Sequence, residues 1–366
     1  MACAFDPDEL TLARKFRGLR KNELAQAVGV TPAALSQYEL GQSRPSPAVL
    51  ARLALALGMP IRFFVLGHPK PVSPSAAHFR SLRATTQLER DQAIAFGQLA
   101  WRLMTGIEKY IELPASRIPH AALPARPADT GDPADPGGAD VAAAARRARE
   151  SMGIGAGPVS HVVRLLEAHG AVVIGLPATS RRVDAFSHWY GSRPVVFLNP
   201  MKDDKARSRF DAAHELGHLV LHHDAEPGNR IVENQAHDFA AEFLMPQAEI
   251  AGELPRRVDW DRLLEAKRRW GVSLKALVYR AHKLGLFGES AYRSAMVTLA
   301  RWGDPEPGDL GPRETPVLLI KAIEMLAETG VDLELLARNT GLAADTVQDI
   351  LRAADGARPL MAVSPR

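Results

Sequence analysis

The chain has 366 residues, 46% hydrophobic and 24% charged, a balance that fits a globular protein of two or three domains and excludes a disordered or fibrous one. A single cysteine, Cys3, excludes an intramolecular disulfide framework and fits a reducing compartment. The net charge of +3 says little by itself about nucleic acid, but residues 1–70 carry nine Lys or Arg against five acids, so the basic excess gathers at the N-terminus.

The opening "MACAFDPDELTLARKFRG" has no apolar run ahead of a small-residue cleavage site, and no uncharged apolar run of about 18 residues follows. A cytoplasmic protein without membrane contact is expected. From Asp8 to Phe64 apolar residues recur at helical spacing, interrupted by Gly18, Gly29, Gly41 and Gly58, which predicts four or five short helices within residues 1–66. In "KNELAQAVGVTPAALSQYELGQSRPS", Leu24, Ala25 and Val28 give one helix an apolar face and Gly29 permits a tight turn. Val30 and Leu35 then let a second helix pack closely. Thr31 reads as its N-cap and Pro32 as its first residue, where a missing N–H costs nothing. The exposed side of that helix carries Ala33, Ala34, Ser36 and Gln37. Gln pairs with adenine and Ala contacts a thymine methyl group, while Lys21, Asn22 and Arg44 flank the pair as phosphate contacts. These residues resemble the XRE family of phage-repressor-type DNA-binding domains over about residues 8–66. The resemblance implies an all-α helix-turn-helix domain whose third helix, capped by Thr31, enters the major groove of double-stranded operator DNA, usually as a homodimer.

Residues 67–112 read as a helical connector, with Leu88, Ile94, Phe96, Leu99, Trp101 and Leu103 along an amphipathic helix. Residues 113–140 are rich in Pro, Ala, Gly and Asp and predict a flexible linker that few contacts cross, so that the flanking parts are separable. In residues 141–290 two helices lead to the apolar run "AVVIGL", a predicted strand, and "DAFSHWY" and "RPVVFLN" form a predicted hairpin around Gly191-Ser192. Helices follow from about Asp203, which makes this an α+β segment.

The first of those helices contains "AAHELGHLVLHH". Residues four apart share a helix face, so His214 and His218 can aim imidazole nitrogens at one ion, while Glu215 is offset toward a water beside it. His222 continues the same row, but three ligands along one straight helix cannot surround an ion. The metzincin spacing would place its glycine and third histidine on Leu221 and Asp224, so it fails. A carboxylate from the next helix is the better third ligand: Glu233 opens "VENQAHDFAAEFLMP", in which Ala236, Phe239 and Ala240 form the packing face, and Glu242 is its rival. The combined pattern "RSRFDAAHELGHLVLHH…ENQAHDFAAEFLMP" resembles the ImmA/IrrE metallopeptidases over roughly residues 140–290. That resemblance implies a zincin-like Zn2+ endopeptidase domain with ligands His214, His218 and Glu233, Glu215 as general base, and a protein substrate that is often a separate repressor. His237 departs from it, standing where the family usually has Asn. Tyr190, His188 and Tyr279 are the candidates for steadying an oxyanion.

Residues 291–366 form a helical C-terminal region. Its "LLARNTGLAADTVQDIL" echoes the N-terminal helix pair, with Leu336, Ala337, Gly341, Leu342 and Val347 matching Leu24, Ala25, Gly29, Val30 and Leu35. Asp345 and Asp349 replace Ala33 and Gln37, and carboxylates are repelled by phosphate, so a packing or protein-binding pair is expected. The whole order resembles one-chain XRE–ImmA/IrrE transcriptional regulators, which implies a DNA-binding regulator whose zinc domain cleaves a repressor or the chain itself. The alternatives are a zinc domain that senses a ligand or dimerises without turnover, and an antitoxin-like repressor.

Overall fold

A computed structural model of the chain describes residues 5–65, 78–79, 86–121, 138–177, 183–201, 204–222 and 230–355. Cys3 and residues 122–137 of the expected linker lie outside them. The first 65 residues form helices α1 (Pro7–Phe16), α2 (Lys21–Val28), α3 (Pro32–Glu39) and α4 (Pro47–Leu57), then a 3-10 turn, Ile61–Phe64. Three of the four helices start alike. Asp6, Thr31 and Ser46 each accept an N–H of the first turn, and a proline follows at the first helical position, which needs no N–H partner. Gly29 and Gly58 end α2 and α4 in the left-handed conformation. Leu10, Leu24, Val28, Leu35, Leu53 and Phe63 fill the centre of this bundle.

Helix α5 (Gln87–Ile107) is the amphipathic connector, somewhat shorter than the segment assigned to it. After it come α6 (Gly138–Ser151), α7 (Val162–Ala168) and the strands β2 (Val172–Gly175), β3 (Ala185–Tyr190) and β4 (Arg193–Leu198), which form a four-stranded sheet with β1 (His78–Phe79), the strand that precedes α5. The order is β1-β3-β4-β2, with β3 and β4 an antiparallel hairpin and β2 parallel to β4. The remaining helices of this part are α8 (Lys205–Leu221), α9 (Arg230–Leu244), α10 (Gln247–Glu253), α11 (Trp260–Trp270) and α12 (Leu274–Lys283). Both sheet faces are buried, which is why "AVVIGL" and "RPVVFLN" read as continuous apolar runs without alternation. Val173, Ala185, Val196 and Leu198 face a core made with α6 to α9, α11 and α12. Val172, Ile174, Phe186, Val195 and Phe197 face a second core.

That second core runs across both halves, which the expectation of a segment that few contacts cross did not include. Phe96, Leu99, Leu103 and Ile107 of α5 pack on the sheet, and the same apolar cluster runs on through Leu10, Ala13 and Phe63 of the N-terminal bundle. Gly97 makes the approach possible, since a Cβ there would stand 2.6 Å from the Tyr190 hydroxyl and 3.1 Å from the Phe197 ring. A buried Arg102–Glu9 ion pair ties α5 to α1. The start of the expected linker is also fixed: Leu113 and Ile118 are buried, Arg117 N–H donates to His169 O at 2.9 Å, and Ala121 N–H to Val220 O at 2.9 Å. Composition pointed to a tether here because isolated large apolar residues are diluted by Pro and Ala, yet two of them suffice to anchor the segment.

The C-terminal region comprises α13 (Glu289–Trp302), α14 (Leu318–Glu328), α15 (Leu333–Thr340) and α16 (Ala344–Ala354). The repeat is conformational as well as sequential: Gly29 and Gly341 both carry positive φ, +65° and +69°. Its second helix, α16, buries Val347, Ile350 and Leu351 in the α5 core, and Thr346 reaches Met59 of the N-terminal bundle. Asp345 and Asp349 lie within electrostatic range of Arg17. The pair is therefore a packing element that joins the N-terminal bundle to the sheet.

Candidate functional site

The peptide Lys205–Leu221 is helical from the Asp204 cap onward, and its row Phe210, His214, His218 runs along one face at the helical period. Beside it lies α9. The two helices meet closely at Gly217, where a Cβ would stand 3.1 Å from the Phe239 ring and 3.2 Å from the Ala236 backbone. This approach brings Glu233 of α9 over the two histidines. His214 Nε2 is 3.4 Å from Glu233 Oε2, His218 Nε2 is 3.6 Å from Glu233 Oε1, and the two Nε2 atoms are 3.1 Å apart. Two imidazole nitrogens and a carboxylate, all within 4.8 Å of one another, converge on one point. Such a donor set fits a divalent cation with an N,N,O preference, of which zinc is the commonest. His214 and His218 are buried, whereas the Glu233 side chain is 21% exposed, so the centre opens to solvent on the Glu233 side.

Glu215 is fully buried, and its Oε2 accepts a 2.8 Å hydrogen bond from Ser187 Oγ of β3. Trp189 donates its indole N–H to Leu219 O at 3.3 Å, so the same face of β3 braces α8 at two points. Glu242 lies elsewhere. Its buried carboxylate takes Arg280 and, at 3.2 Å, Arg146, and it also accepts from Gln247 N at the start of α10. It is outside the cluster of possible ligands.

Two of the three oxyanion candidates are on the wrong side of the sheet. Side chains alternate along β3, so with Ser187 and Trp189 toward α8, His188 and Tyr190 point the other way. Tyr190 stacks on Trp101 of α5 at 5.8 Å, His188 meets the Tyr190 ring edge-on at 4.6 Å, and burial pushes the Tyr190 phenol up from its ordinary pKa. Tyr279 remains on the metal side, where its ring is 5.7 Å from that of His237. His237 stands one turn beyond Glu233 and 4.9 Å from Phe210.

His222 takes a different place from the row suggested by its spacing. His218 shows Nε2 to the cluster and Nδ1 to His222, whose Nδ1 is 3.1 Å away. Its Nε2 is 2.9 Å from Gln235 Oε1. Burial holds the His222 imidazole below its ordinary pKa, against the opposite pull of Gln235 and Glu233. Ser187, Gln235 and Gly217 escaped the reading of the sequence. Ser187 left one faint signal, a hydroxyl between Ala185 and Trp189 on the face of a strand that alternation turns inward.

On the N-terminal bundle, Thr31, Ala33 and Gln37 are exposed in the full chain, and Ala34 and Ser36 are half-buried. Thr31 Oγ caps α3 by accepting from Ala34 N at 3.1 Å. Lys21, Asn22 and Arg44 are exposed around them. Lys21 also has a partner within the fold, the Glu39 carboxylate at 3.1 Å, which is held on its other side by Arg14 at 2.5 Å.

Comparison with known proteins agrees with both parts. A family model described as Helix-turn-helix matches residues 10–64, and one described as IrrE N-terminal-like domain, of the M78 peptidases, matches residues 166–282. No curated protein matches the chain. Among the described residues no helix is long and apolar enough to cross a membrane. The second match spans His214, Glu215, His218 and Glu233. The chain thus joins an XRE-type helix-turn-helix domain to an M78-type, IrrE N-terminal-like domain.

Proposed function

We propose that the chain is a cytoplasmic, operator-binding transcriptional regulator whose second domain is a zinc-dependent endopeptidase acting on a protein, either a repressor or this chain itself. The observation that carries the reading is the convergence of His214 Nε2, His218 Nε2 and the Glu233 carboxylate beside Glu215. These three side chains would hold the ion. Zinc bound there supplies a Lewis acid and lowers the pKa of water from about 15.7 toward 7. Glu215 takes the proton from the attacking water and passes it to the leaving amine. Ser187 donates to one oxygen of that carboxylate and so helps to orient it. Tyr279, whose ring meets that of His237 on the helix that carries Glu233, is the remaining candidate for holding a substrate carbonyl.

On the DNA side, Gln37 and Ala33 read base edges, with Ala34, Ser36 and Thr31 beside them, while Lys21, Asn22 and Arg44 grip phosphates. Two chains on a palindromic operator would form the active regulator. A second reading keeps the metal but not the turnover: Glu215 has no exposed surface, which suits a sensing or dimerising module.

The test is mass spectrometry of zinc-loaded wild-type and Glu215→Gln chains incubated alone and with the proteins encoded by the neighbouring genes. Peptidase action gives defined fragments, of a neighbouring protein or of the chain, with the wild type only. Intact proteins in both incubations, with zinc bound in both, favour the second reading.

A further inference from the structure

His222 and Gln235 are buried or half-buried polar residues outside the three-atom cluster, and nothing in the proposed chemistry uses them. Their hydrogen bonds have a direction. His222 Nε2 lies 2.9 Å from Gln235 Oε1, and a carbonyl oxygen only accepts, so Nε2 carries the proton. In a neutral imidazole the other nitrogen is then a lone pair. His222 Nδ1 is therefore the acceptor in its 3.1 Å contact with His218 Nδ1, and the donor is His218 Nδ1–H. With its proton on Nδ1, His218 has a lone pair on Nε2, the atom that faces His214 and Glu233.

We propose that His222 and Gln235 are positioning residues for the metal: they hold His218 in the Nδ1–H tautomer and turn its Nε2 toward the ion. The inference rests on the reading of His214, His218 and Glu233 as a metal centre. It also explains why His222 belongs with the motif although it lies outside the cluster of ligand atoms. His222 stands behind His218, on the opposite edge of that ring. Gln235 comes from the same helix as Glu233, two residues on, so α9 supplies both a ligand and the far end of the relay. Partners of this kind in other metal sites contribute about 10- to 100-fold in affinity.

The experiment is zinc affinity of the full chain, measured by competition with a chromophoric chelator, alongside the melting temperature of the metal-free protein. His222→Phe keeps the ring shape and removes the acceptor. It should weaken zinc about 10- to 100-fold and leave metal-free melting unchanged. His222→Asn, whose Oδ1 replaces Nδ1 as acceptor, should recover most of the loss. Gln235→Leu should weaken zinc, Gln235→Glu should bind at least as well as wild type, and Gln235→Leu should add nothing to His222→Phe. Wild-type affinity in His222→Phe, equal weakness in His222→Asn, or additive losses in the double variant would overturn the relay while leaving the metal centre intact. Failure of the wild-type chain itself to bind zinc would overturn both.

Discussion

Glu233 and Glu242 sit nine residues apart on one helix and do different work. Glu233→Ala removes a possible ligand from a solvent-facing position, so zinc content should fall to background while the metal-free protein melts as before. Glu242→Ala strands the Arg280 guanidinium beside α10 and should cost about 3 kcal/mol of stability with the metal retained. Parallel metal analysis and denaturant unfolding of the two variants check this, and retained zinc in Glu233→Ala would remove Glu233 from the site. At the DNA surface, Gln37→Ala should cost about 1–3 kcal/mol at the cognate operator and relax discrimination at one base pair. Arg44→Ala should weaken all sequences alike and lower the salt slope by about one. Arg44 is a cleaner probe of phosphate contact than Lys21, whose ammonium also pairs with Glu39. Equal losses on cognate and random DNA for Gln37→Ala, measured by gel shift at several salt concentrations, would remove it as a base reader.

Helix placement was legible where local chemistry sets it, and tertiary register was not. The Asp6-Pro7, Thr31-Pro32 and Ser46-Pro47 starts are written in two-residue strings, because cap and first turn touch only each other. Choosing Glu233 over Glu242 by sequence alone was a choice between two carboxylates of one helix, since only the approach of α9 to α8 at Gly217 decides which of them reaches the histidines. His188 and Tyr190 failed for a related reason. One residue of shift along β3 moves a side chain to the opposite face, and a strand buried on both faces gives no polar alternation to fix the parity. The tight helix–sheet contact at Gly97 is testable in the same terms. Gly97→Val drives methyl groups into the Tyr190 hydroxyl and the Phe197 ring and should destabilise by about 1–3 kcal/mol. An unchanged unfolding midpoint would mean that α5 does not pack on the sheet as described.

Across the whole molecule, the N-terminal bundle, α5, one sheet face and the C-terminal helix pair share one apolar core. The Pro- and Gly-rich composition of residues 113–140 carried little trace of this, because within it only isolated apolar residues such as Leu113 and Ile118 take part, and the other contacts that join the halves lie on either side of it. A chain cut by an engineered protease site between residues 121 and 138 should therefore stay together in gel filtration and come apart only in denaturant. Two species eluting separately under native conditions would restore the picture of independent domains. The shared core also connects the IrrE N-terminal-like domain to α3, since α1, which packs against α3, is tied to α5 through the Glu9–Arg102 pair.

Zinc K-edge absorption spectroscopy of the zinc-loaded full chain tests the central claim most directly, because it counts ligands by type. The account predicts two imidazoles and carboxylate or solvent oxygen at about 2.0–2.2 Å, with no sulfur. A spectrum with three imidazoles, or a chain that takes up no zinc, would contradict it.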